Sequence, residues 1–62
     1  MKLRYVYWQD EAMWLGYLEE FPDYWTQGEH EGELRENLVE LYKELSNGNI
    51  ANVRRIAELE VA

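Results

Sequence analysis

Leu34-Arg35-Glu36-Asn37-Leu38-Val39-Glu40-Leu41-Tyr42-Lys43-Glu44-Leu45 is the stretch whose periodicity settles the architecture. Leu34, Leu38, Leu41, Tyr42 and Leu45 recur at spacings of 4, 3, 1 and 3, which lines one face of an α-helix with apolar side chains. Glu33, Glu36, Glu40 and Glu44, spaced by 3, 4 and 4, fall on the face turned away from it. Like charges four residues apart cost helix stability, so this stripe is tolerated rather than favoured by the helix itself. Upstream, His30 stands where the N-cap belongs and Glu33 follows three residues later, the spacing of a capping box. Glu31 and Glu33 suit the positive end of the helix dipole. Gly32 weakens the first turn by up to about 1 kcal/mol relative to Ala. Downstream, Ser46-Asn47-Gly48-Asn49 ends the helix, with Gly48 as its left-handed cap.

Outward from the helix, the chain changes period. Lys2 to Trp8 is dominated by aromatic and β-branched residues and predicts a strand. Gln9 to Ala12 forms a polar hairpin loop, and Met13 to Leu18 the return strand. A four-residue loop sets Val6 opposite Leu15 and Tyr5 opposite Gly16. One face then carries Leu3, Tyr5, Tyr7, Trp14, Gly16 and Leu18; the other carries Arg4, Val6, Trp8, Met13, Leu15 and Tyr17. Both faces are apolar, and one helix covers only one. The second face is therefore a candidate interface. Gly16 marks a close backbone approach and turns its own face toward the helix. Glu19 to Tyr24 holds the only proline, Pro22, and reads as a turn. Trp25-Thr26-Gln27 is a short third strand ended by Gly28. In the last ten residues Ala57, Leu59 and Val61 alternate with Glu58 and Glu60, which predicts a fourth strand, a short second helix being the alternative. The expected fold is α+β: a small antiparallel sheet of three to four strands with one helix packed on one face, in the order β-β-β-α-β.

With 62 residues the chain is a single domain, residues 1–62. Domains of this size bury only about 60% of the surface of the unfolded chain and need extra support. There is no cysteine and only one histidine, so neither a disulfide nor a zinc site supplies it. Oligomerisation, expected as a homodimer, is the remaining route. Nine aromatic residues argue against disorder. The longest apolar run, Ala12 to Leu15, is far too short to cross a bilayer, and no signal-peptide pattern follows Met1, so a cytoplasmic location is expected. A net charge of -7 repels phosphates and anionic lipid and favours a basic partner; it also serves plain solubility.

Catalytic constellations are missing. Ser46 and His30 stand 16 residues apart along one helix, about 24 Å at the helical rise, so one copy cannot assemble a Ser-His-acid triad from them. No phosphate loop, dinucleotide fingerprint or calcium loop occurs. The glutamate stripe reads as a solvated face, because metal sites need converging ligands in a cleft. Six Lys and Arg residues do not make a basic groove for nucleic acid. No enzyme, no cofactor and no metal is expected.

The stretch Trp14-Leu15-Gly16-Tyr17-Leu18-Glu19-Glu20-Phe21-Pro22-Asp23-Tyr24-Trp25-Thr26-Gln27-Gly28 resembles the core of the HicB-like antitoxin family. Pro22 fits the second proline of that family's turn. Thr26-Gln27-Gly28 fits its strand exit, and Glu33, Leu34, Asn37 and Leu38 fit its helix. The likeness runs from Tyr5 to Leu45. Glu19 and Asp23 replace a proline and a glycine of the family pattern, and His30 replaces its Ser or Thr cap. Family members often add a DNA-binding domain, for which the 17 residues after Leu45 are too few. The resemblance implies a short-form antitoxin that neutralises a small basic HicA-type toxin, which cleaves messenger RNA, by covering its RNA-binding surface. Trp8 and Tyr17 on the sheet, with Glu33, Glu36, Glu40 and Glu44 on the helix, are the expected partner-binding residues. The competing expectation is a stand-alone structural or regulatory homo-oligomer of the same fold without a toxin. A ribonuclease-H-like use of the acids lacks a convergent site.

Overall fold

In the computed structural model, which describes residues 1–48 and 50–62, strands β1 (Tyr5–Asp10), β2 (Met13–Leu18) and β3 (Trp25–Gly28) precede helix α1 (Glu31–Ser46). The strands form one antiparallel sheet in the order β1-β2-β3, and α1 packs against β2 and β3. This is the expected α+β sandwich of sheet and helix with one correction. The fourth strand is not formed: among the described residues, 53–62 carry no regular element. An alternating segment gains little from extension until its backbone pairs with an edge, and this one meets none within the described chain.

The hairpin is tighter than a four-residue loop allows. Asp10 pairs with Met13, leaving only Glu11 and Ala12 in the turn. Glu11 has φ 56°, the positive value that a two-residue primed turn requires at its first position. Val6 therefore faces Tyr17, and Tyr7 faces Gly16, correcting the expected pairs Val6 with Leu15 and Tyr5 with Gly16. Gln9 and Asp10 are polar because they are exposed near the end of an edge strand, not because they leave the ladder. The correction is a shift of two residues. Side chains alternate with period two, so both faces keep their membership.

Leu18, Phe21, Leu34, Leu38 and Leu45 form the buried core, with Tyr5, Trp14, Leu41 and Tyr42 among the half-buried residues around it. Phe21 is 1% exposed although it lies between strands. Its amide donates to the Leu18 carbonyl and its own carbonyl accepts from the Tyr24 amide, so the connection folds into turns that drive the ring inward. Gly16 and Gly28 set the distance between layers. A Cβ on Gly16 would meet the Val6 carbonyl oxygen at 2.9 Å and the Leu34 side chain at 3.4 Å. A Cβ on Gly28 would stand 2.6 Å from the Leu34 backbone nitrogen. Asn37 Nδ2 donates to the Gln27 carbonyl at 2.6 Å and ties the helix to β3.

The helix starts as the spacing predicts. His30 is extended, and its Nδ1 accepts from the Glu33 amide at 3.1 Å. The Glu33 carboxylate accepts from the Glu29 amide, one residue before the donor that a standard capping box uses. At the other end the Asn47 amide donates to the Lys43 carbonyl, and Gly48 has φ 83°. Asn49, the last residue of the expected stop signal, lies outside the described residues.

Candidate protein-binding surface

Strand pairing builds an aromatic cluster on the sheet face that α1 leaves uncovered. Val6 pairs with Tyr17 and Trp8 with Leu15 across β1 and β2, while Tyr17 pairs with Trp25 across β2 and β3. Side chains of paired residues share a face, so Trp8, Tyr17 and Trp25 meet there. The Trp8 and Trp25 rings approach edge to face, with centroids 4.9 Å apart and planes at 83°. Tyr17 stacks on Trp25 at 6.0 Å and 15°, and meets Trp8 edge-on at 6.1 Å. Such aromatic pairs contribute about 0.5–1.5 kcal/mol each beyond the area they bury. Trp25 Nε1 donates to the Pro22 carbonyl at 3.0 Å, which fixes the indole while leaving the residue 60% exposed. Exposed Val6 and half-buried Met13 and Leu15 extend the surface. Arg4 and Glu19, joined at 3.4 Å, and Asp10 mark its rim.

The face toward the helix has its own aromatic row, with different consequences. Tyr5 and Tyr7 lie 5.4 Å apart, and Tyr7 and Trp14 6.1 Å apart. Tyr5 and Trp14 are half-buried against the core, so they belong to packing.

Trp8 and Tyr17 share a face as expected; the corrected register is what brings their rings together, and Trp25 joins them. The structure does not bring the glutamates to them. Leu34, Leu38 and Leu45 point into the core beneath the opposite sheet face, and Glu36, Glu40 and Glu44 are exposed on the far side of the helix. Glu40 pairs with Lys43 at 3.5 Å, and Glu33 is engaged in the helix cap. Helix and sheet layers therefore separate the acidic stripe from the aromatic cluster. Trp25 was within reach of the sequence: once Trp25-Thr26-Gln27 is read as a strand beside β2, only its register is needed to place the indole next to Tyr17.

Among the described residues no helix is long and apolar enough to cross a membrane. No protein-family model, no curated protein and no solved structure matches the chain.

Proposed function

We propose that this domain is an antitoxin-like protein-binding module that neutralises a small basic HicA-type toxin by covering its RNA-binding surface. The observation that carries the reading is the uncovered Trp8-Tyr17-Trp25 cluster. Rigid aromatic anchors at the centre of an apolar patch are the residue types that dominate binding energy at protein interfaces. Their ring faces also accept arginine and lysine side chains, of which a toxin that grips RNA has many. The net charge of -7 and the Asp10 carboxylate at the rim, where Glu19 is paired with Arg4, add electrostatic complementarity. The resemblance of residues 14–28 to HicB-like antitoxins names the partner class. The glutamates on α1 lie more than a sheet and a helix away from a toxin seated on the cluster. With a Debye length of about 8 Å at physiological salt, they act on such a toxin only through the long-range field.

The test is isothermal titration of the domain with a HicA-type toxin, combined with an assay of messenger-RNA cleavage. Stoichiometric binding that suppresses cleavage supports the reading. Absence of binding at micromolar concentrations of both proteins removes it.

A further inference from the structure

We propose that residues 57–61 form the missing fourth strand in trans, on the outer edge of β1 of a second copy, so that two copies exchange arms. This goes beyond the toxin-binding reading and is independent of it.

The segment is rooted and then released. Ile50 and Val53 pack against the core, Arg54 reaches Asp23 at 3.3 Å, and the Arg55 guanidinium lies 5.8 Å from the Phe21 ring centre. Beyond that root the side chains leave the body: Leu59 is 88% exposed and Val61 85%. The pattern Ala57-Glu58-Leu59-Glu60-Val61 is that of a strand with one apolar and one charged face.

The receptor is the edge of β1. Strand order makes β1 an edge, and the Glu19 amide donating to the Arg4 carbonyl at 2.9 Å fixes which residues bond inward. Hydrogen-bonded pairs alternate along an antiparallel ladder, so Arg4, Val6, Trp8 and Asp10 face β2. The N–H and C=O groups of Tyr5, Tyr7 and Gln9 point away from the sheet. An added strand satisfies them through backbone bonds. The opposite edge is less open, because Asn37 already occupies the Gln27 carbonyl on β3.

Side chains match as well as backbone. An apolar groove of about 220 Å³ lies between α1 and the start of β1, lined by Met1, Leu3, Tyr5, Leu18, Leu38 and Val39, with Arg35 among them. Leu59 and Val61 fit this side, next to the exposed Tyr7. Alternation then places Glu58 and Glu60 on the side of Arg4. Arg4, which also bonds Glu19, is a cation on that side, and Arg35, which bonds Glu31, lines the groove that takes Leu59 and Val61.

The surface area agrees with a missing partner. The chain exposes 5181 Å² at 7.5 kDa. A monomeric protein of that mass exposes about 4,200 Å². Residues 56–62, exposed along their whole length, contribute to that excess, and a partner edge would cover part of it.

The experiment uses the full chain alone, with a second copy as the ligand. Sedimentation equilibrium at micromolar concentration should give two chains. The double variant Leu59→Asp, Val61→Asp should weaken dimerisation by about tenfold or more. Both positions are exposed in one copy, so the helical part of the far-UV circular dichroism should persist while the strand part falls. In a sample mixing isotope-labelled and unlabelled copies, the Leu59 methyls should show contacts to the Tyr5 and Tyr7 rings across copies. A monomer, a dimer indifferent to the double variant, or contacts found only within one copy would overturn the arm exchange.

Discussion

The two charged or aromatic surfaces of this domain lie back to back, and they are built differently. The sheet cluster of Trp8, Tyr17 and Trp25 is held by cross-strand pairing and by the bond from Trp25 to the Pro22 carbonyl. Its side chains have little freedom left to lose, and it presents apolar area. The helix face of Glu36, Glu40 and Glu44 consists of long, solvated side chains, one of them already paired with Lys43. Exposed ion pairs of this kind are worth about 0–1 kcal/mol. The contrast teaches that the acidic and the aromatic surfaces are separate here, with the core between them.

The change with the largest expected effect attacks the join between the two surfaces. Gly28→Ala drives a methyl into the Leu34 backbone, which cannot yield as a side chain can. Overpacking against backbone should cost about 3 kcal/mol or more, a large part of the stability of so small a domain. Chemical denaturation should show it, and toxin binding should fall with folding. If Gly28→Ala were as stable as the parent, the close docking of α1 on β3 would be wrong.

Next comes a change confined to the aromatic side. Trp25→Ala should weaken toxin binding by about 2 kcal/mol or more, mainly through faster dissociation, while the fold persists because the ring is largely exposed. An unaltered dissociation rate would move the binding site elsewhere.

On the acidic side, replacing Glu33, Glu36, Glu40 and Glu44 together by Gln should slow association at low salt by roughly threefold and leave dissociation unchanged. A loss larger than that of Trp25→Ala would reverse the ranking of the two surfaces and place the toxin on the helix.

The smallest effect belongs to the cap. His30→Ser should preserve stability or raise it by about 0.5 kcal/mol, since Ser is a better N-cap than His. A marked drop in the melting temperature would give the imidazole a role beyond accepting from the Glu33 amide.

What was legible in the sequence was local. The leucine stripe, the His30 cap, the positive φ of Gly48 and the approach of α1 to Gly16 each follow from spacing or from the residue type at one position. What was not legible depended on distant pairing. Phe21 gave no periodic signal because it sits in a connection, yet it is the most buried aromatic residue. The hairpin register was missed because polar Gln9 and Asp10 resemble a loop while continuing the ladder. The fourth strand failed for a related reason: alternation describes what a segment fits, not which edge receives it. The opposition of the glutamates to Trp8 and Tyr17 follows from two local readings once they are combined: Gly16 faces the helix, and the glutamates face away from the leucines.

The three tryptophans supply the most direct measurement of the central claim, because Trp8 and Trp25 lie on the open face and Trp14 packs against the core on the other. The indole N–H resonances of a ¹⁵N-labelled domain should be followed while a HicA-type toxin is added. The expected result is large shifts for Trp8 and Trp25 and little change for Trp14 or for the amides of Glu36, Glu40 and Glu44. Shifts confined to the helix amides, with Trp8 and Trp25 unmoved, would contradict it.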